Sequence, residues 1–101
     1  MIVRVFEARI RAGKLGEFEE LLKSVSIPLV LAQPGLLECR TGRPVGGANP
    51  DTFVMVSVWR DVPSIQAFAG DDWEQPVIPD PREAAIIEAS TVRHFEVLGV
   101  E

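Results

Sequence analysis

The residues that could carry chemistry are few, and the first of them is His94, the only histidine of the 101-residue chain. An imidazole can transfer protons near neutral pH, so a position in a pocket would make His94 a candidate general base. A hydrogen-bonded histidine on a strand or at an interface is the alternative. The choice between the two depends on which side of its strand faces a cavity.

Aromatic residues and one cation form the second group of candidates. Trp59 and Trp73 each offer a flat apolar surface with one N–H donor, which suits stacking on an aromatic ligand as well as core packing. Phe6 and Phe68 are candidates for the wall of a pocket or of the core. Arg40 could bind an anionic oxygen, although a solvated or ion-paired arginine is the ordinary alternative.

Other patterns argue against further kinds of site. Asp71, Asp72 and Glu74 are close in sequence, but adjacent carboxylates rarely converge on one ion and no second cluster accompanies them, so we expect no metal. The glycine-containing loop 44–51 lacks the Lys-Ser/Thr pair of a phosphate-binding loop. Cys39 has no second cysteine to pair with, and we expect it to be structural.

Composition limits the class of protein and its partners. The chain is long enough for a single domain, residues 1–101, and its net charge of −5 disfavours nucleic acid and anionic membranes. Charges interrupt the N-terminal apolar residues, so no signal peptide is indicated, and the longest uncharged run is too short to span a bilayer. The single cysteine fits a reducing compartment, and we expect a cytoplasmic protein.

Hydrophobic periodicity predicts the elements that must position these residues. Strands are expected at residues 2–10, 36–43, 52–60 and 91–98. A helix is expected from Leu15, kinked or ended at Pro28 and stopped by Pro34-Gly35. Asp61 or Ser64 could cap a second helix through Phe68, closed by Gly70, and a further helical piece is expected at 82–89. The order strand, helix, strand, strand, helix, strand is the α+β ferredoxin-like pattern with a four-stranded antiparallel sheet.

The third strand is apolar on both sides. Phe53, Met55, Ser57 and Trp59 point to one face, and the residues between them are a threonine and three valines. Two short helices cover only one side of such a sheet, so the other side requires a partner. A second copy of the chain, sheet against sheet in a two-fold homodimer, is the simplest one.

Three stretches resemble a known family. They are "QPGLLECRTGRP", "TFVMVSVWRDVPSIQAFAGDDW" and "STVRHFEVL", and their order and spacing are similar to those of antibiotic biosynthesis monooxygenase-like proteins, which are dimeric α+β barrels. Some members are cofactor-independent oxygenases that bind a phenol or quinol between sheet and helices. Others degrade haem with a strand Asn, a Trp and a ligating His. In this chain Glu7 is near the position of that Asn, and Phe68 is near the position of that Trp. The stretch "WEQPVIP" stands where the ligating His is expected and contains no histidine, so the resemblance disfavours haem degradation.

Two hypotheses follow from the residues and the resemblance. The first is a monooxygenase without cofactor that acts on a small aromatic or quinone-like molecule, with His94 as base or hydrogen-bond partner and Trp59, Trp73 and Phe68 lining the cavity. The second is a ligand-binding or structural dimeric barrel without turnover. An enclosed, partly apolar cavity to which His94 is exposed favours the first, and a filled core with His94 at the subunit interface favours the second.

Overall fold

The computed structural model describes residues 1–47 and 49–99. Strands and helices follow in the order that the periodicity predicts. The elements are β1 (Ile2–Ile10), α1 (Leu15–Leu21), a π-helical segment (Leu22–Ser26), α2 (Ile27–Leu31), β2 (Leu36–Gly42), β3 (Thr52–Trp59), α3 (Val62–Ala69), α4 (Pro81–Ile86) and β4 (Ile87–Glu96). Within the described residues, every helix is too short or too polar to cross a membrane.

The four strands form one antiparallel sheet in the order β2-β3-β1-β4. The strand β1 is central, because β3 pairs with one of its edges and β4 with the other. This order, with the helices on one face, is that of a ferredoxin-like α+β fold, and the predicted fold class is confirmed. The register places Ser57 and His94 directly beside Arg4, on either side.

Alternation along the strands divides the sheet into a face under the helices and an outer face. The helix-facing side chains of the two central strands are mostly buried, and they are Ile2, Arg4, Phe6, Ala8, Ile10, Phe53, Met55, Ser57 and Trp59. The register puts His94 on the same side as Arg4. The outer face carries Val3, Val5, Glu7, Val54, Val56, Val58, Arg93 and Phe95. The prediction that β3 is apolar on both sides is therefore confirmed.

Pro28 shapes the helical region between β1 and β2. The helix runs without a break from Leu15 to Leu31, but it widens into π-helical turns over Leu22–Ser26, just before the proline. A proline has no N–H for the carbonyl four residues earlier, and its ring crowds that carbonyl, so a local widening accommodates it. The expected kink thus takes the form of a π-helical segment, and Ser26 at its end is buried.

The caps of α3 agree with the sequence. Asp61 is the N-cap, and its Oδ1 accepts a hydrogen bond of 2.8 Å from the backbone N–H of Ser64. Gly70 follows the helix with φ of +82°, a backbone conformation that favours glycine.

The boundary between α4 and β4 differs from the prediction of a helix over 82–89 and a strand over 91–98. The helix ends at Ile86, and β4 begins at Ile87 and ends at Glu96. Ile87 pairs with Ile10 of β1, so sheet pairing overrides the helix-forming preference of the next residues. The start of α4 is fixed by Asp80, which accepts a hydrogen bond of 2.8 Å from the Arg82 N–H.

The core lies between the sheet and the helices. Its largest fully buried side chains are Trp59, Phe18, Ile10 and Ile65, which come from two strands and two helices. The rings of Phe18 and Phe53 meet edge to face with centroids 5.2 Å apart, which joins α1 to β3.

Gly35 permits the close approach of β2 to α3, and its replacement should destabilise the protein. A Cβ atom at Gly35 would overlap the Cβ and Oγ atoms of Ser64. Gly35→Ala should therefore lower the free energy of unfolding by about 1–3 kcal/mol, measured by urea denaturation. Gly16→Ala is the matched control, because a Cβ at Gly16 meets no atom within 4 Å and should leave stability unchanged or slightly higher. Equal stability of the two variants would contradict the packing argument.

Candidate functional site

A pocket lies between the helix-facing side of the sheet and the helical layer. The strands contribute Arg4, Phe6, Met55, Ser57 and Trp59; the helices contribute Leu22, Ser26, Leu29, Val30, Phe68 and Glu83; and the connection between α3 and α4, residues 70–80, contributes Val77, Ile78 and Pro79. The cavity is about 40 Å³, room for a few water molecules. Leu29 is 39% exposed and marks the rim.

The polar groups of this pocket are concentrated in an unusual way. In the described part of the chain, the buried polar or charged residues are Arg4, Ser26, Ser57 and Glu83, and all four line the pocket. Burying an ionisable side chain is costly unless it is compensated, so such groups are rare in cores and frequent at functional sites. The convergence of all four on one apolar cavity identifies it as the candidate site.

Arg4 is the cation of the pocket and is only 4% exposed. Its Nη1 donates to the carbonyl oxygen of Trp73 at 2.6 Å, and its Nη2 donates to that of Gln75 at 3.1 Å. Within the described residues, no carboxylate lies within ion-pair distance of this guanidinium. Burial lowers the pKa of Arg4 to about 10, so the group is still a cation at neutral pH. The carbonyl groups that accept hydrogen bonds from this buried cation are therefore neutral dipoles.

His94 contacts Arg4 and does not line the pocket. Its Nε2 atom lies 2.8 Å from Nη1 of Arg4. A guanidinium can only donate, so Nε2 must be the acceptor and the imidazole is neutral with its proton on Nδ1. Burial first, and the charge of Arg4 second, lower the pKa of His94, while Glu74 opposes them. His94 thus serves as an acceptor that orients Arg4.

Aromatic rings form one wall of the site. Trp59 and Phe68 stack with centroids 5.3 Å apart and planes at 24°, and the Arg4 guanidinium lies 5.9 Å from the centre of the Phe68 ring. The indole N–H of Trp59 donates to Ser57 Oγ at 2.9 Å, and its fully buried ring supports that of Phe68. This wall can receive a flat apolar ligand next to a cation.

Glu83 and Ser26 form the second polar group of the pocket. Glu83 is 3% exposed, and Ser26 Oγ lies 2.7 Å from one of its carboxyl oxygens and 2.8 Å from the other. Burial is the main reason that the pKa of Glu83 is raised, and the hydrogen bond from Ser26 opposes that shift. The contact joins the end of the π-helical segment to α4 and puts a carboxyl group at an apolar cavity.

The structure divides the residues that the sequence singled out. Phe6, Trp59 and Phe68 line the pocket. Trp73 and His94 lie behind Arg4, with their rings edge to face at 4.7 Å.

Arg40 lies elsewhere and is not part of this pocket. It pairs with Val56 on the outer face, is exposed, and forms an ion pair of 3.1 Å with Glu38. The alternation of β2 turns its side chain away from the helices. Glu7 also projects from the outer face, because Arg4 and Phe6 are the residues of β1 that face the helices and side chains alternate along a strand. Glu7 is therefore not a pocket residue.

Sequence reasoning missed Arg4, Ser26 and Glu83. For Arg4 a signal existed, because a lone charge interrupts the apolar residues of β1 at a position that alternation turns toward the core. Ser26 and Glu83 gave no comparable signal. Their inward direction depends on the π-helical segment and on the two-turn helix α4, both too short or irregular for a periodic pattern.

Asp71, Asp72 and Glu74 lie in the α3–α4 connection and are exposed. Across residues 1–47 and 49–99, no three His, Cys, Asp or Glu side chains are grouped so that they could hold a metal ion. Cys39 pairs with Ser57 across the β2–β3 ladder and faces the helices as Ser57 does. Burial raises the pKa of its thiol, which disfavours a reactive thiolate.

A model of one protein family matches this chain over residues 1–72, and its description is antibiotic biosynthesis monooxygenase. The chain belongs to the antibiotic biosynthesis monooxygenase family. The resemblance seen in the sequence is thereby confirmed. The matched region extends from β1 through α3, so it includes Arg4 and Phe68 but ends before Glu83. Comparison with curated protein sequences gives no match.

Solved structures agree with this membership at the level of the fold. SnoaB, a cofactor-independent oxygenase from Streptomyces nogalater, is 16% identical with a TM-score of 0.74, over 98% of this chain and 94% of that one. A putative antibiotic biosynthesis monooxygenase from Nitrosomonas europaea is 15% identical with a TM-score of 0.73, over 98% and 100%. MhuD, solved as a mutant with manganese protoporphyrin IX, is 22% identical with a TM-score of 0.72, over 100% and 98%.

The residues of this family member do not fit a haem. His94 is the only imidazole of the chain, and its Nε2 already accepts a hydrogen bond from Arg4. The side chain that could ligate the iron therefore lies outside the pocket and is engaged elsewhere.

The neutral state of His94 can be measured directly because the chain has one histidine. In an NMR titration, the wild-type imidazole should protonate below the ordinary pKa of 6.5. Arg4→Gln should raise the midpoint, since one of the two causes is removed, but not fully to 6.5, since burial persists. Arg93→Gln is the control: Arg93 lies on the outer face, and its replacement should leave the midpoint in place. A wild-type midpoint at or above 6.5 would show that Arg4 does not hold the ring neutral.

Proposed function

We propose that this protein is a cofactor-independent monooxygenase that acts on a small aromatic or quinone-like molecule in the pocket between sheet and helices. The observation that carries the proposal is the convergence of the four buried polar residues on one apolar cavity with an aromatic wall. Membership of the antibiotic biosynthesis monooxygenase family supports the reaction class. SnoaB, which shares the fold, is a cofactor-independent oxygenase.

The charge of Arg4 suits the chemistry that such a reaction needs. A phenol or enolisable ring ketone reacts with dioxygen once it has lost a proton, because the anion is electron-rich. A guanidinium without a carboxylate partner, in a cavity of low dielectric constant, stabilises that anion more strongly than it would in water. Arg4 has five N–H donors and directs three of them to Trp73, Gln75 and His94, so two are left for a ligand oxygen.

The overall reaction balances without an external reductant. An activated methylene group of the substrate reacts with one molecule of dioxygen and becomes a carbonyl group, and one molecule of water is released. The substrate supplies all four electrons that reduce dioxygen, one oxygen atom enters the product, and the other leaves as water with the two methylene hydrogens. The protein's part is to bind the ring against Phe68, which stacks on Trp59, to hold its oxygen at Arg4 and to exclude bulk water.

An aromatic ring needs more room than about 40 Å³, so binding requires that one wall of the pocket moves. Val77, Ile78 and Pro79 belong to the α3–α4 connection, which has no regular helix or strand, whereas the opposite wall is the sheet. Displacing a connection breaks fewer contacts than displacing a strand. The ligand therefore enters on the side of this connection.

Oxygen uptake with a panel of anthrones and hydroquinones tests the activity. Leu29→Trp should lower the uptake rate or substrate affinity about tenfold or more, because a larger side chain at the rim obstructs entry, and about 1.4 kcal/mol is tenfold. Leu31→Trp is the matched control, since this residue of α2 is exposed and does not line the pocket. Ligand binding without uptake by any compound would favour a binding protein without turnover. Equal effects of both variants would place the reaction elsewhere.

We propose also that the protein is a homodimer whose two sheets meet at their outer faces. In the single chain this face leaves Phe95 at 49% exposure, and five half-buried valines lie beside it on β1 and β3. An apolar face of this extent is costly in water and typical of an interface. Antiparallel sheets that are apolar on both sides pack on both sides.

Light scattering after size-exclusion chromatography should give twice the mass of the chain. Val3→Asp should shift the mass to that of one chain, because the cross-strand neighbours of Val3 on the outer face are Val58 and Phe95, and a carboxylate between them would be buried without a partner. Val45→Asp is the matched control, because Val45 is fully exposed in the loop between β2 and β3. A wild-type monomer at micromolar concentration would refute the dimer.

A further inference from the structure

We infer that Glu83 is the catalytic residue that takes the proton from an enolisable or phenolic substrate, and that Ser26 is the positioning residue that holds its carboxylate. This inference rests on the proposed function, because it names the base of the same pocket. It also reassigns the role that the sequence suggested for His94. The substrate class that it implies is a neutral ring compound that is ionised only after it has entered the cavity.

The position of Glu83 is the first argument. It lines the pocket and is 3% exposed, so its carboxyl group adjoins the cavity and is shielded from bulk water. Ser26 holds both carboxyl oxygens within 2.8 Å, which fixes the carboxylate while leaving lone pairs for a substrate proton. A general base must be within hydrogen-bond reach of the proton that it abstracts, and among the described residues Glu83 is the one carboxyl group on this pocket's lining.

The state of His94 is the second argument. Its Nε2 lone pair is the acceptor for Arg4, and the other ring nitrogen carries the proton, so the imidazole has no free basic atom. It also lies behind Arg4 and not on the pocket surface. The base must therefore be a different group.

The charges around Glu83 are the third argument. The pKa of Glu83 is raised, and burial is the largest cause. The charge of Asp80 also raises this pKa, whereas the Ser26 hydroxyl and the charge of Arg82 lower it. The Arg4 guanidinium lines the same pocket. A carboxylate with a raised pKa is a stronger base than one in water.

The step that follows is a proton transfer. The electron pair of a substrate C–H or O–H bond stays on the substrate as an enolate or phenolate, and the proton forms an O–H bond on Glu83. The positive charge of Arg4 stabilises the anion in the same cavity. Dioxygen is not needed for this step, so it can be observed without the oxygenation.

Anaerobic hydrogen–deuterium exchange of anthrone is the test. In heavy water the wild-type protein should catalyse loss of the methylene proton signal in NMR spectra, because Glu83 removes a proton and returns a deuteron. Glu83→Gln keeps the shape and the contact with Ser26 but has no basic oxygen, and it should lower catalysed exchange about 100-fold or more. Glu88→Gln, an exposed carboxylate on β4, is the matched control and should stay within about twofold of the wild type.

The outcomes separate this inference from the proposed function. Exchange that depends on Glu83, without oxygen uptake, supports the inference and refutes the oxygenase. Exchange that survives Glu83→Gln, or no exchange by the wild type, overturns the inference, and oxygen uptake then stands or fails by its own measurement. Thermal unfolding shows whether Glu83→Gln is folded.

The pH dependence of Ser26→Ala provides a second readout, which also decides the matter if Glu83→Gln does not fold. The exchange rate should rise with pH as Glu83 ionises, with a midpoint above the ordinary pKa of 4.5. Removing the hydroxyl removes an interaction that lowers the pKa, so the midpoint should move to higher pH. A purely structural serine would change the rate or the stability and leave the midpoint unchanged, and that result would overturn the inference.

Discussion

The architecture of the site depends on one costly feature, which is the burial of the Arg4 guanidinium on the helix-facing side of the sheet. A buried charge is stable only when polar atoms replace the water that it has lost. Here two backbone carbonyls and one imidazole do so, and they come from Trp73, Gln75 and His94. Residues far apart in the sequence are thereby tied to one cation, and the α3–α4 connection is held against the sheet.

Because these partners are all neutral, the charge of Arg4 is solvated without being cancelled. A carboxylate partner would have stabilised the arginine as well, but it would have left little field in the cavity. The carbonyl and imidazole acceptors preserve an electrostatic potential that an anion can use. Glu83 completes the arrangement as a carboxyl group on the same cavity, held by a hydroxyl and not by a cation.

Most of the fold was accessible from the sequence, because it depends on periodic patterns over long segments. The alternation in β1 and β3 and the caps around α3 are local, and the structure agrees with them. The start of β4 was not accessible, since the pairing of Ile87 with Ile10 is a contact between residues 77 positions apart. Local preference and tertiary pairing compete there, and pairing prevails.

The site was accessible only in part, for a related reason. Phe6, Trp59 and Phe68 could be named because large aromatic residues face inward in most folds. The direction of the Arg4 side chain followed from alternation along β1. Two of its acceptors, the carbonyls of Trp73 and Gln75, lie in an irregular connection, and no periodic sequence pattern predicts the path of such a segment. The contact of Ser26 with Glu83 needs both a π-helical segment and the placement of α4, which only the assembled fold provides.

The two halves of the α3–α4 connection make different kinds of contact. The first half is bound to Arg4 through the backbone carbonyl groups of Trp73 and Gln75. Because backbone atoms accept these hydrogen bonds, the identity of the two side chains matters little for them. Its second half, Val77–Pro79, presents side chains to the cavity. Changes in those three side chains could reshape what the pocket accepts while the anchor to the sheet stays intact. The fold thus separates the part that must be kept from the part that is free to evolve new preferences.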